Sequence, residues 1–434
     1  MDKKEFGKIE KEKAITWAQE TFRKPNNKSA ILNQGIRRVT ELNKSLEKYQ
    51  TPKSMKEWNI EEFQRNRNDI EKISKSLKDV DPTTNLSLYK KVKDTEFGYM
   101  EDNFYKDLNR MEIAEPEFRQ LQTDLKDGYG FINNFMITNL SLPFPTELIK
   151  LLIKSKTIFY PIVLHLNMPS GRRLGYLEDD KICIANEQVV KYGEMKIITN
   201  DGKQVIQIKC EINPNESAEQ YRKKIKLEEK DINETFWAVP NWDEKQTVAE
   251  LSMGGFTASR FVNRAKILID LLKKQIPIEK VKACIEKMEN KKGSICFMDY
   301  DYFILEAEKE GYDPEKAKQT VGRYVVDDKR LYIQLNHPAL ISEKDGDVNT
   351  LFHEFGHAVD NLLFDDVSTS SEFEDIYKSE KDAVNIDPYF KSTPLEFFAE
   401  AFSYLYSIKN EQQEQIKKEA PRTIDFIKNK MEIN

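Results

Sequence analysis

The spacing of hydrophobic positions changes along the chain and predicts a helical start, a β-rich middle and a helical last third. Residues 1–80 carry apolar side chains at helical spacing between Lys- and Glu-rich faces, and residues 85–140 mix short strands with helices. From Phe159 onwards, short apolar runs alternate with turn signals such as PSG and NDG, which is typical of successive β-strands. Residues 245–290 return to helical spacing, and RYVV-DDK-RLYIQL at 323–335 predicts a β-hairpin. We therefore expect an α+β fold.

A charged stretch at 215–234 is a plausible boundary, because a solvated helix or linker would have this composition. The chain of 434 residues is long enough for two or three domains. We predict a mixed α/β domain over 1–235 and a helical domain with a small β-sheet over 236–434.

Composition narrows the functional classes. Charged residues make up 33% and hydrophobic residues 39%, and the net charge is −6 with both signs interleaved, which argues against nucleic acid as the main partner. No apolar run approaches the roughly 20 residues that span a bilayer, so no transmembrane segment is expected. The N-terminal residues MDKKEFGKIEKEK lack the apolar stretch of a signal peptide. The four cysteines form no CxxC pair, which suits a protein that works in a reducing compartment.

The segment HEFGH is the strongest chemical signal in the chain. On a helix predicted over 347–364, His353 and His357 stand four residues apart and project from one face, where both can bind one zinc ion. Glu354 lies beside them and could take a proton from water. An apolar stripe on the opposite side of this helix comprises Phe352, Phe355, Val359 and Leu362. A chance match and a structural pair of histidines are the alternatives.

A second helix, predicted over 393–408, offers the third protein ligand that a catalytic zinc requires. Its core stripe comprises Phe398, Ala401, Phe402 and Leu405. Glu396 and Glu400 share the other face, where Glu396 could bind the metal and Glu400 could accept the free N–H of a ligand histidine. Without HEFGH, the same pair would equally fit a solvated surface. Tyr389 precedes this helix and could donate to an oxyanion, although most loop tyrosines only pack.

The stretches HEFGHAVDNLL, PYFKSTPLEFFAEAF and KKEAPRTIDFI closely resemble the catalytic domain of the anthrax lethal factor family. The resemblance implies a toxin with a zinc endopeptidase of the gluzincin type. In the matching positions, His353, His357 and Glu396 would be the zinc ligands, Glu354 the general base and Tyr389 the oxyanion-stabilising tyrosine.

The front half resembles the ADP-ribosyltransferase fold of binary toxins, chiefly through PIVLHLNMPSGRRLGYL. That family requires an arginine after a strand, a Ser-Thr-Ser strand and a Glu-x-Glu turn. The matching positions here hold Lys90, the Thr138 tripeptide ITN and the Glu187 tripeptide ANE. Only the last glutamate remains, and lysine cannot replace a bidentate arginine. The resemblance therefore implies a catalytically inactive transferase-like domain.

The substrate is expected to be a protein or peptide that adds as a strand to a sheet edge near 323–341, with Pro338–Ile341 nearest the metal. His337 could line this cleft, although packing is its more common role, and His165 fits a hydrogen-bonded core residue or a transferase relic. The resemblance also implies secretion and action in a target-cell cytosol. A delivery or translocation partner is compatible with it, but this length leaves no room for the family's pore-binding domain.

Two alternatives remain open from the sequence. One is an ADP-ribosyltransferase toxin that acts through Glu187, with an accessory C-terminal domain. The other is a binding protein with a structural zinc, against which the open fourth coordination position of HExxH plus one glutamate argues.

Overall fold

A computed structural model describes residues 78–79 and 86–432, with internal gaps of which the longest cover 143–148, 152–156, 213–217, 240–245, 304–319 and 336–345. The helices predicted within residues 1–77 lie outside the described residues. The chain divides into two compact units, of which the first comprises 1–223 with 254–260 and the second comprises 224–253 with 261–434.

The described part of the first unit is built on a nine-stranded sheet in the order β1-β10-β11-β6-β2-β9-β13-β12-β5. Strands β9 and β13 pair in parallel, and the other described pairs in this sheet are antiparallel. The elements are β1 Lys78–Asp79, β2 Leu86–Val92, β3 Tyr105–Asp107, β4 Glu112–Ile113, α1 Glu115–Asp124, β5 Tyr129–Ile132, β6 Met136–Asn139, β7 Ile149–Leu151, β8 Thr157–Phe159, β9 Ile162–Met168, β10 Arg173–Tyr176, β11 Lys181–Ile184, β12 Gln188–Asn200 and β13 Lys203–Ile212. Strands β3–β4 and β7–β8 form two separate hairpins.

Alternation along the central strands separates the two faces of this sheet. One face buries Leu88 on β2, Leu164 on β9 and Ile208 on β13 completely. The opposite face carries polar side chains, among them His165, whose ring stacks on that of Tyr89 at 4.9 Å. The imidazole of His165 therefore belongs to the polar face rather than to the apolar core. Burial and the nearby lysines lower its pKa.

The second unit contains a four-stranded sheet in the order β14-β15-β17-β16 and most of the described helices. Strands β14, β15 and β17 are parallel, and β16 pairs antiparallel with β17 at the edge. The elements are α2 Ala218–Trp237, β14 Ala249–Ser252, α3 Ala258–Gln275, α4 Ile278–Glu289, β15 Ile295–Met298, β16 Gly322–Val325, β17 Arg330–Gln334, α5 Gly346–Leu363, α6 Ser371–Glu380, α7 Pro394–Leu405, α8 Asn410–Glu419 and α9 Pro421–Glu432. Helices α2 and α3 each cross a boundary between the units.

The expected α+β class with two units is confirmed. The predicted hairpin at 323–335 is present as β16 and β17, and the helices predicted at 347–364 and 393–408 are α5 and α7. The domain boundary between residues 235 and 236 stays a prediction. Among the described helices, none combines the length and the apolar character that crossing a membrane requires. The four cysteines are buried and free.

Candidate metal centre

Helix α5 presents His353 and His357 one turn apart on the same face. Their Nε2 atoms lie 3.1 Å from each other, and the rings meet edge to face with centroids 4.7 Å apart. The predicted apolar stripe anchors the other side of the helix, since Phe352, Phe355 and Val359 have no exposed surface. Burial of that stripe fixes the rotation of α5 about its axis, and this rotation directs both imidazoles to one point.

Helix α7 brings Glu396 to that point, because α5 and α7 cross very closely. A Cβ on Gly356 would lie 3.2 Å from the Cα of Ala399 and 3.2 Å from the Cβ of Phe402, so only glycine fits this crossing without a shift. At the start of α7, the Thr393 hydroxyl accepts a hydrogen bond from the Glu396 N–H at 3.1 Å and caps the helix. Glu396 therefore projects from the first, well-defined turn of α7.

The three donor atoms have the spacing that a tetrahedral metal ion requires. Oε2 of Glu396 lies 3.2 Å from Nε2 of His353 and 3.3 Å from Nε2 of His357. An ion bound at roughly 2.0–2.1 Å would separate its ligand atoms by about 3.3 Å in tetrahedral geometry. Oε2 of Glu396 is also buried without a hydrogen bond of regular geometry. Within the described residues, these three side chains are the one His/Cys/Asp/Glu group close enough to share an ion.

Carboxylates control the protonation of this cluster. Burial lowers the pKa of His353, but Glu396 and Glu400 outweigh burial and raise this pKa to about 10. Burial raises the pKa of Glu396, but the two imidazoles outweigh burial and hold the pKa of this carboxyl well below its usual range. Oε1 of Glu400 lies 3.2 Å from Nδ1 of His353, on the side away from the cluster. Glu400 is therefore placed to orient the ring of His353.

Glu354 is on the same helix as the histidines and is 8% exposed. Burial raises the pKa of its carboxyl, while the two imidazoles and the main-chain N–H of Tyr324 act in the opposite direction. Tyr324 belongs to strand β16, so the carboxylate contacts this strand as well as standing beside the two histidines on α5. A buried carboxylate with a raised pKa beside a metal cluster is suited to proton transfer.

Tyr389 lies in a short 3-10 turn, Pro388–Lys391, directly before α7. The ring of Tyr389 is 5.9 Å from that of His353, and its hydroxyl hydrogen-bonds the Glu396 carboxylate. Burial and the charge of Glu396 raise its pKa, so the hydroxyl keeps its proton. The next residue, Phe390, is fully buried against the rings of Phe397 and Tyr404 and anchors the turn. The Tyr389 ring therefore lies beside the cluster with about half of its surface exposed.

The other predicted site residues fall partly outside the described residues. His337 and Pro338–Ile341 lie outside the described residues, as does Glu187. In the first unit, the buried Thr138 hydroxyl donates to the carbonyl of Ile182 at 3.1 Å. The Lys90 ammonium lies 5.9 Å from the centre of the Phe256 ring.

Three features of the site were missed in the sequence interpretation. The first is the close crossing at Gly356 and Ala399, which depends on how two separate helices pack. The second is the fully buried Asp360, which accepts from the N–H and the hydroxyl of Ser368 and so fixes the chain after α5. The third is the contact of Tyr324 with Glu354, which no local pattern indicates.

Comparisons with known proteins agree with this architecture. The family described as "Anthrax toxin lethal factor, N- and C-terminal domain" matches residues 265–430. The chain is 26% identical to lethal factor of Bacillus anthracis over 272 residues, which is 60% of this chain and 33% of that protein. It is 33% identical to the Pro-Pro endopeptidase of Clostridioides difficile strain 630 over 82 residues, or 19% of this chain and 37% of that protein. The chain thus spans about a third of the length of these relatives.

Among solved structures, the chain is similar to ADP-ribosyltransferases. C3larvin toxin from Paenibacillus larvae shares 16% identity at a TM-score of 0.35, and the match covers 47% of this chain and 94% of that one. The ADP-ribosylating component BECa of a C. perfringens binary enterotoxin shares 17% identity at a TM-score of 0.39, covering 65% of each chain.

The family match lies in the C-terminal part of the chain, and the chain is similar both to lethal factor and to a protein named as an endopeptidase. Residues 265–430 are thus similar to lethal factor.

Proposed function

We propose that this protein is a zinc-dependent endopeptidase of the gluzincin type, with zinc held by His353, His357 and Glu396. The observation that carries the proposal is the convergence of two imidazole nitrogens and one carboxylate oxygen within 3.1–3.3 Å of one another. Two nitrogen donors and one oxygen donor are a usual protein ligand set for catalytic zinc, with further coordination left to water and substrate. Zinc bound there would supply Lewis acidity, which lowers the pKa of a water and polarises a carbonyl.

Glu354 performs the proton transfers in this proposal. Its carboxylate takes a proton from the attacking water and returns it to the nitrogen of the leaving amine, as general base and then general acid. Its burial favours this exchange, because a raised pKa brings the carboxyl closer to the working pH. Glu400 keeps the ring of His353 in a fixed orientation through the contact at Nδ1.

Tyr389 stabilises the oxyanion that forms on the scissile carbonyl. Its hydroxyl keeps a proton to donate, and it is already directed at the cluster through its hydrogen bond to Glu396. Its exposure leaves it accessible to a substrate in the cleft.

The substrate class in this proposal is an extended segment of a protein. Among the described strands, β16 is an edge of the second unit's sheet and contacts Glu354, so a substrate strand near this edge would reach the proton-transfer group. We also propose that the protein is secreted and acts in the cytosol of a target cell after delivery by a partner. Both statements rest on the lethal factor resemblance.

The alternative of a transferase acting through Glu187 has weaker support. The hydroxyl of Thr138 is committed to the carbonyl of Ile182, and Lys90 replaces the arginine that would bind a phosphate.

The test combines metal analysis with cleavage of a peptide library. Wild-type protein is expected to hold one equivalent of zinc and to cleave a subset of peptides. Glu354→Gln should keep the zinc and lose about 10²- to 10⁴-fold in kcat/KM, because only the proton-transfer group is removed. His353→Ala should lose the zinc.

Glu372→Gln, an exposed position on α6, is the matched control and should behave as wild type. Stoichiometric zinc in a wild-type protein that cleaves no peptide would refute the endopeptidase proposal.

A further inference from the structure

The edge strand β16 contacts α5 at two places through one residue, Tyr324. Its main-chain N–H hydrogen-bonds the Glu354 carboxylate, and its hydroxyl donates to Oδ1 of Asn361 at 3.0 Å. Glu354 and Asn361 are seven residues apart on α5, which corresponds to about two helical turns. The strand is therefore attached to the helix at two points on either side of His357.

The register of β16 explains why the main-chain N–H of Tyr324 is available to bind Glu354. The N–H of Gln334 on β17 donates to the carbonyl of Val321 at 3.0 Å. In an antiparallel pair, every second residue directs its polar groups at the partner strand, so those of Arg323 point to β17. The N–H of Tyr324 then points away from β17 and needs an acceptor other than that strand. Glu354 provides it.

Asn361 is itself held in place. Its Oδ1 also accepts from Nζ of Lys329 at 2.7 Å, and its Nδ2 donates to Asp366 at 2.8 Å. Lys329 lies in the turn between β16 and β17, so two residues of this hairpin bind the same amide oxygen. The acceptor for the Tyr324 hydroxyl is thus fixed from both the hairpin and the segment after α5.

Gly322, at the other end of β16, permits the close approach to Glu354. A Cβ there would lie 2.5 Å from Cγ2 of Thr350 and 3.0 Å from Cγ of Glu354. Any other residue would push the strand away from the helix or displace the Glu354 side chain. Both ends of this short strand are therefore adapted to the position of one carboxylate.

We infer that Tyr324 is a positioning residue that sets the orientation of Glu354, through a strand clamped between Asn361 and the Gly322 contact. This inference rests on the proposed function of Glu354, but its structural part, the clamp, can be tested without catalysis. Tyr324 itself contacts neither metal nor the water to be deprotonated in this assignment, and acts only through Glu354.

The kinetic test is a double-mutant cycle of Tyr324→Phe and Asn361→Ala. Each variant should lower kcat by about 10-fold or more, with little change in KM or zinc content, as expected for a residue that orients a catalytic group. The double variant should be no worse than the poorer single variant, because both changes break the same clamp. Tyr332→Phe on β17 is the matched control, since Tyr332 packs with Cys296, Met298 and Phe303 on the sheet.

The second readout is hydrogen exchange of the amide of residue 324, which needs no substrate. This amide should exchange slowly in wild type and at least several-fold faster in Tyr324→Phe, in Asn361→Ala and in Glu354→Ala. Tyr332→Phe should leave its exchange unchanged. If the wild-type protein lacks peptidase activity but the variants show this exchange pattern, the proposed function is refuted and the clamp is supported.

Gly322→Ala separates positioning from stability. The variant should lose both thermal stability and kcat while keeping its zinc. Adding Thr350→Ser removes the methyl group of the 2.5 Å clash but leaves the contact with Glu354. The variant with both Gly322→Ala and Thr350→Ser should therefore regain much of the lost melting temperature, while its kcat stays low. The inference is overturned if kcat recovers together with stability, or if Tyr324→Phe changes neither kcat nor the exchange of amide 324.

Discussion

At the residue scale, protons would compete with a bound metal ion for the same atoms of the cluster. The carboxylates of Glu396 and Glu400 raise the pKa of His353 to about 10, so below that pH the ring carries a second proton. A ligand imidazole must be neutral, and binding a metal therefore has to release that proton.

Because one proton is released, zinc affinity should increase by about tenfold per pH unit between pH 6 and 8. The sign follows from the raised pKa, because protonated His353 dominates over that whole range without metal. Calorimetry in buffers of different ionisation enthalpy would measure the released protons directly. An affinity that does not change with pH would contradict the raised pKa of His353.

The sequence predicts the chemistry of the cluster better than its assembly. The four-residue spacing of His353 and His357 and the phase of Glu396 on its helix depend only on helical periodicity, so both could be derived. The Gly356–Ala399 contact and the outward N–H of Tyr324 depend on how distant segments pack. No local pattern carries that information, so these features became visible only in the structure.

At the element scale, a buried glutamate joins two helices of the second unit. Glu380, the last residue of α6, accepts hydrogen bonds from the N–H groups of Arg422 and Thr423 and from the Thr423 hydroxyl. Helix α9 begins at Pro421, and its first N–H groups have no partner within the helix. A carboxylate from another helix thus serves as the cap, in a position that also favours negative charge.

Glu380→Ala should lower the free energy of unfolding by about 2 kcal/mol, because it leaves buried N–H groups without an acceptor. Glu380→Gln keeps one acceptor oxygen and should lose less. Glu374→Ala removes an exposed carboxylate from the same helix and should leave stability nearly unchanged. Denaturant unfolding of the three variants checks the order, and equal effects of the two alanine substitutions would show that the cap contributes nothing.

At the scale of the whole molecule, the chain passes between its units more than once. Residues 224–253 belong to the second unit, and the described part of the charged stretch, 218–234, is helical and belongs to α2. The buried Asn233 of α2 accepts from the N–H groups of Val248 and Ala249 and donates to the Ala249 carbonyl. Glu229 accepts from the N–H of Leu251. Helix α2 therefore holds strand β14 within the second unit.

A fragment of residues 236–434 should be less stable than a fragment of 218–434, because only the longer one keeps Asn233 and Glu229. Asn233→Ala in the full chain should reproduce part of the loss. Thermal unfolding of the two fragments measures the difference, and equal melting temperatures would support the boundary at 235. Charge composition suggested that boundary, but the apolar residues Ile225, Ile232 and Phe236 of α2 are buried at helical spacing among those charges.

The short segment from Pro388 to Glu396 limits how the sequence of this protein can change in evolution. It carries the hydroxyl of Tyr389, the cap of Thr393 and the carboxylate of Glu396 in one continuous stretch. The Ser392 N–H and hydroxyl both donate to the carbonyl of Tyr389 and close the turn before α7. An insertion or deletion within these few residues would shift the tyrosine relative to the glutamate in one genetic event. Among related sequences, length variation is therefore expected in other loops, while the length of this segment should stay constant.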